Sequence, residues 1–390
     1  MQKSTSRILT THAGSLPRPE ALTQLYVQRV RGETVDEGVL AQAGADAVPW
    51  VIQAQIDAGM DVISNGEQQR ESFVLYLRRR LDGLGGVGSR VASADMDAYP
   101  KYKEALARQT AARPSVSNRD QLPKCVGPIR YIGHADLAVE IDSFKAALGP
   151  VQGRYAEAFF TAASPGILAA IVKNEHYPSQ ADYIAAVGQA LQVEYEAIVK
   201  AGFLLQIDAP DLALERHTSF RDRPLAEFQA FVEVVVDAIN AALVNIPADK
   251  VRLHVCWGNY EGPHDRDVPL ADIWPILQKA KVGGFFLPFA NPRHAHEVRV
   301  FETMPLGPNQ VLAAGVIDTT TNFVEHPEVV ADRIERIARI VGDPSRILAG
   351  TDCGFDTSAG MGRVAEDVVW AKLRAMRAGA ELASQRLFGK

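Results

Sequence analysis

Residues 251–258 read VRLHVCWG. The run is short, apolar and rich in β-branched residues, so it reads as a strand rather than a helix. On a strand, residues i and i+2 point to the same side. His254 and Cys256 therefore share a side, at the end of the run. Two readings of this pair are open. It is half of a metal site, or it is two ordinary strand residues, since a free cysteine is most often a small buried hydrophobe.

Seven other runs have the same character: RILTTHAGS (7–15), MDVISNGE (60–67), YAEAFFTAASPG (155–166), GFLLQIDAP (202–210), GGFFLPFA (283–290), VLAAGVID (311–318) and RILAGTDCG (346–354). All are apolar throughout rather than alternating, the pattern of strands covered on both faces. Amphipathic stretches lie between them. Residues 177–202 open on Pro178-Ser179 and close on Gly202, and residues 325–342 also end on Gly, as capped helices do. Eight βα units predict an α/β fold, a (β/α)₈ or TIM barrel. Residues 70–150 break the alternation after the second strand and read as an insertion carrying a helix and a hairpin. No linker marks a second domain, so residues 1–390 read as one barrel. GGVGS (85–89) follows no strand and opens no helix, which argues against a phosphate loop.

Composition agrees with an ordinary globular chain: 390 residues, 47% hydrophobic and 23% charged. The net charge of −6 argues against nucleic acid as partner. No run approaches the length of a membrane span, and the first residues lack the pattern of a signal peptide. Three cysteines form no even disulfide framework and predict a reducing, cytoplasmic setting. Association of copies is left open.

In a barrel of parallel strands the active site lies at the strand C-termini. The runs end on Ser15, Glu67, Ser164, Asp208, His254 with Cys256, Pro288, Asp318 and Cys353. One imidazole and two thiols are ligands that Zn²⁺ prefers. Glu67 and Asp208 could bind the amine of an amino-acid-like substrate, or pair with Arg70 or Arg216. His12 and Ser15 sit in a first turn whose backbone N–H groups could hold a carboxylate, or they are simple turn residues. His217, His264, His294, His296 and His326 lie beyond strand ends. Any could donate a proton, and the alternative is solvation. Cys125 reads as structural.

THAGSLPRP, GMDVISNGEQQR, LQIDAPDL, HVCWGNYEGPH, GVIDTTTNFVEHPE and AGTDCGF resemble, in order, the motifs of the cobalamin-independent methionine synthase catalytic domain. The resemblance runs from about residue 7 to about residue 380, and is to the short, single-barrel branch that includes epoxyalkane:coenzyme M transferases. It implies that His254, Cys256 and Cys353 bind zinc and that zinc activates a substrate thiol. It also implies that Ser15, Glu67 and Asp208 hold the amino-acid part of homocysteine. Two positions depart from the family. Pro288 stands where a glutamate ligand is expected, and Thr320 where a proton-donor histidine is expected. Glu297, Asn291 or water could complete the metal shell, and His326 or His217 could supply the proton. The resulting expectation is a transferase that moves a methyl or other alkyl group from a donor to a small-molecule thiol. The alternatives are an epoxide-opening thiol transferase, a metal-free lyase or decarboxylase, and a non-catalytic thiol- or metal-binding relative.

Overall fold

The computed structural model describes residues 1–90, 93–110, 116 and 122–389. Each of the eight runs holds a barrel strand: β1 Leu9–Thr10, β2 Val62–Ile63, β3 Glu157–Ala163, β4 Leu204–Asp208, β5 Val251–His254, β6 Gly284–Pro288, β7 Val311–Ile317 and β8 Ile347–Thr351. Strands β2 to β8 pair in chain order, and β8 returns to β1. Every pair in this sheet is parallel. Between β1 and β2 the Asp61 N–H donates to the Thr10 carbonyl at 3.1 Å, leaving a nearly closed barrel.

Successive strand residues alternate between the helices outside and the barrel interior. On β5, Val251 and Leu253 join the large outer core. Phe159, Leu204, Phe286 and Leu348 form a separate inner cluster. The strands are covered on both faces, as expected, and Arg252 is a buried charged exception: it points into the barrel and is 1% exposed. Its guanidinium lies 4.0 Å from the Phe159 ring centroid. It donates to Gln206 Oε1 at 2.8 Å, Thr11 Oγ1 at 3.1 Å and the His12 carbonyl at 3.2 Å. A buried cation is tolerated when its donors are satisfied in this way.

The helix signals hold at both quoted stretches. Ser179 caps Gln180–Lys200 by accepting from the Asp182 N–H at 3.1 Å, and Gly202 follows at φ +97°. Residues 70–150 contain the antiparallel pair Leu81–Gly88 and Leu122–Tyr131, extended by Lys173–Asn174. GGVGS falls largely in the first of these strands. The described part of the stretch holds more helix than the sequence implied: Leu77–Arg80, Ala94–Ala98, Pro100–Thr110 and His134–Leu148. Residues 91, 92, 111–115 and 117–121 of the same stretch lie outside the described residues. Phe144 of the last helix stacks on Phe203 at 4.8 Å and meets Phe160 of β3 at 6.0 Å, seating it on the outside of the barrel.

Candidate metal and substrate site at the barrel mouth

Asp208 and His254 are register partners across β4 and β5, so their side chains stand side by side. His254 Nδ1 lies 3.0 Å from Asp208 Oδ1, which also accepts from Gln206 Nε2 at 2.7 Å. Arg252 fixes Gln206 in turn. Nδ1–H donates to Asp208, and Nε2 is buried with no partner. A metal-ligating imidazole is oriented in this manner, by a carboxylate on its other nitrogen.

Cys256 continues β5 by two residues and Cys353 follows β8, with their sulfurs 4.0 Å apart. Two thiolates about 2.3 Å from a tetrahedral zinc lie about 3.8 Å from each other. The sulfurs and the His254 nitrogen all fall within 4.8 Å of one another. The donor set and its spacing therefore fit zinc. Without a cation, the same atoms favour a thiolate–imidazolium pair. The hydrogen bond from Cys353 and the neighbouring His254 hold the Cys256 thiol well below its ordinary range. Burial opposes charge on His254, but Asp208 and Cys256 outweigh it and raise its pKa to about 10. A metal ion would displace that proton.

Glu67 lies four residues beyond the end of β2, in a tight turn at φ +58°. Asn65 Oδ1 accepts the Glu67 N–H at 3.1 Å, and Arg18 donates to the Glu67 carbonyl at 3.1 Å. Gly14, at φ +122°, passes so close that a Cβ there would stand 2.6 Å from Thr161 Cγ2 and 3.0 Å from Glu67 Oε1. Oε1 accepts from the Thr161 hydroxyl at 2.9 Å, while Oε2 is buried without a partner. Burial, followed by the nearby Asp208 charge, raises the Glu67 pKa to about 7. Neither carboxylate pairs with the expected arginine. Arg70 is bound to Glu140 at 2.9 Å, and Arg216 donates to the Phe220 carbonyl. Asp208 is paired with His254, but Glu67 Oε2 is left open beside it, and a second close carboxylate favours a cationic group there.

Ser15, Glu67, Asp208, His254, Cys256 and Cys353 all line one cavity of about 220 Å³. Its walls include Phe73, Leu75 and Ile167, and the Leu81–Tyr131 excursion contributes Leu122 and Arg90. His12 lies below, with its ring bonded to Gln55 at 2.7 Å and to the Gly14 N–H at 3.2 Å, which is turn chemistry. Cys125 is buried away from this cavity.

A second, smaller cavity of about 30 Å³ shares Cys256 and Cys353. Pro288 and Thr320 line it, and so do His264 and His294. Here the sequence reading needs correction. His217, His264 and His294 are not solvated: they are 1%, 4% and 5% exposed. All three converge on Asp267, at 3.0, 2.9 and 2.8 Å. Asp267 was missed, although HDRD (264–267) has the i, i+3 spacing that could have drawn attention to it. His326 is also corrected. It is exposed, lines neither cavity, and caps Pro327–Val341 by accepting the Glu328 N–H at 3.2 Å. His296 is exposed as well. Glu297 lines neither cavity and accepts the Leu270 N–H at 2.8 Å. Asn291 lines the small cavity, with its Oδ1 accepting from the Arg293 N–H at 2.9 Å. No helix among the described residues is long and apolar enough to cross a membrane.

No family model matches the chain. A methionine synthase of Saccharolobus islandicus is 26% identical over 386 residues, covering 97% of this chain and 95% of the relative. One from Sulfurisphaera tokodaii is 26% identical over 348 residues, covering 89% and 85%. Among solved structures, a B12-independent methionine synthase of Shewanella sp. W3-18-1, in complex with selenomethionine, superposes with TM-score 0.72 at 20% identity. That match covers 98% of this chain and all of the other, and it shows the fold. The motif resemblance is borne out: this chain is similar to methionine synthases over nearly its whole length, and it has the single-barrel fold of a B12-independent one.

Proposed function

We propose that this protein transfers a methyl group to the sulfur of a homocysteine-like amino thiol, with residues 1–390 acting as one catalytic barrel and residues of about 70–150 as its insertion. The observation that carries this reading is the content of one cavity. A buried, unpartnered imidazole nitrogen and two cysteine sulfurs share it with two carboxylates, neither of which makes a salt bridge to an arginine among the described residues. His254, Cys256 and Cys353 would hold zinc, which when bound supplies the Lewis acidity that keeps a substrate thiol ionised at neutral pH.

The chain's own groups do the rest. Glu67 Oε2 and Asp208 accept the hydrogens of the substrate ammonium. The turn at Ser15 receives its carboxylate. Asp208 also keeps the proton on His254 Nδ1, which leaves Nε2 free as a donor atom. The apolar walls exclude water and strengthen these contacts. The substrate sulfur attacks the methyl carbon, an S–C bond forms, and the donor leaves with the electron pair of its broken bond. That leaving group needs a proton. Of the two histidines expected to provide it, His217 lines neither cavity but stands behind the wall of the larger one: its Nε2 is 3.3 Å from the hydroxyl of Tyr260, a lining residue. Epoxide opening by the same thiolate is the second reading, favoured by Pro288 and Thr320 where the family has a ligand and an acid. Three unpaired cysteines suit the reducing cytoplasm.

The test measures loss of free thiol for homocysteine with an N-methyl folate donor and, separately, with a short epoxide, alongside the zinc content of the protein. Methyl transfer by a zinc-containing protein is expected. Epoxide opening alone would favour the second reading, and no thiol turnover with either donor would refute both.

A further inference from the structure

Asp267 and the histidines around it lie outside the donor set already described, and their hydrogen bonds do not balance as neutral groups. His264 Nε2–H donates to the Tyr260 carbonyl at 3.0 Å. Its Nδ1 lies 2.9 Å from Asp267 Oδ2, so either a second ring proton or a metal ion must stand between them. His294 brings Nε2 to the same oxygen at 2.8 Å. Its Nδ1 is buried with no hydrogen bond and lies 3.6 Å from the Glu297 carboxylate. Each ring thus has one nitrogen on Asp267 and the other directed at a protein oxygen, the arrangement that aims ligating imidazoles. His264 is held at φ +51°, a strained conformation for a non-glycine residue, and strain of this kind concentrates at functional positions. His294 is stacked on Trp257 at 4.2 Å.

We propose that His264 Nδ1, His294 Nε2 and Asp267 Oδ2 hold a second divalent transition-metal ion, on the small cavity that Cys256 and Cys353 also line. Two imidazoles and one carboxylate form a neutral-to-anionic donor set with room for exogenous ligands, suited to zinc, iron(II) or cobalt(II). The three donor atoms fall within 4.8 Å of one another. Donors about 2.1 Å from an ion at right angles stand about 3.0 Å apart, close to the 2.8 and 2.9 Å separations from Asp267. The ion replaces the protons that would otherwise bridge these atoms. Asp267 Oδ1 is left to His217 Nδ1, 3.0 Å away. The site does not depend on the thiol chemistry proposed above, because it contains no thiol ligand.

The test counts metal ions by elemental analysis after equilibration with zinc and removal of the excess, and repeats the titration with cobalt(II). Wild-type protein should bind two equivalents. Only one should produce thiolate-to-cobalt charge-transfer absorption, and the other should not. Cys256→Ser/Cys353→Ser should keep one equivalent without that absorption, and adding His264→Ala and His294→Ala should remove it. Saturation of the wild type at one equivalent with thiolate absorption overturns the proposal, whether or not the variants fold. So does an equivalent that survives His264→Ala/His294→Ala in the Cys256→Ser/Cys353→Ser protein. One equivalent without thiolate absorption in the wild type would sustain this site and refute the thiolate site instead.

Discussion

Asp208→Asn separates the two tasks assigned to one side chain. Asn keeps a carbonyl oxygen that can still accept from His254 Nδ1 and Gln206 Nε2, the contacts now made at 3.0 and 2.7 Å. It removes the negative charge offered to a substrate ammonium. A hydrogen bond to a charged group contributes about 1.5–3 kcal/mol, and about 2 kcal/mol corresponds to roughly 30-fold in binding. The kcat/KM for homocysteine should therefore fall by about 30-fold. Metal affinity should fall less, by about tenfold, as altered outer partners of ligating histidines commonly cost. There is also a pH signature. Glu67 has its pKa raised to about 7 by burial and then by Asp208, and it must be ionised to hold the ammonium. Without the Asp208 charge Glu67 ionises at lower pH, so the acid limb of kcat/KM should move down. The control substrate is 4-mercaptobutyrate, the same thiol without its amine, assayed at saturating zinc. Wild type and variant should use it equally well. An equal loss with both thiols would refute the ammonium assignment and leave Asp208 as a partner of His254 only.

Cys256→Ser and Cys353→Ser should each remove the thiolate-bound equivalent of zinc, read by elemental analysis, while circular dichroism stays that of wild type; full retention of that zinc would count against the ligand set. Pro288→Glu should lower kcat/KM, because an added anionic ligand occupies the small cavity and reduces the metal's acidity, while Pro288→Ala controls for backbone relaxation. A gain of methyl transfer in Pro288→Glu alone would reverse that reading. Glu67→Gln should stabilise the ligand-free protein above pH 7, on the order of a few kcal/mol. The sign follows from a folded pKa of about 7 against an ordinary value of 4.5: folding favours protonated Glu67, so wild type loses stability as pH rises through that window. Urea unfolding at pH 4 and pH 8 should show the difference only at the higher pH.

The sequence alone determined the parts of this protein that depend on local periodicity. Eight short apolar runs each contain a barrel strand, because strand burial leaves its mark within five to eight residues. His254 and Cys256 share a side because the strand period is two, and Ser179 and Gly202 bound a helix because capping is local chemistry. The strand-end rule also put Cys353 at the same barrel mouth as a candidate third ligand, and the family motifs agreed with it. Other features needed the closed barrel. Asp208 meets His254 only through the register between β4 and β5. Arg252 is buried because β5 turns that side inward, onto Phe159 and Gln206. Arg70 is drawn to Glu140, 70 residues away, rather than to Glu67. The histidines that read as solvated loop residues are buried because three separate loops at the barrel mouth converge on Asp267. A strand's period is a property of its own backbone, whereas register, closure and loop convergence are set by contacts between segments distant in the chain, so only the tertiary structure decides which side chains meet.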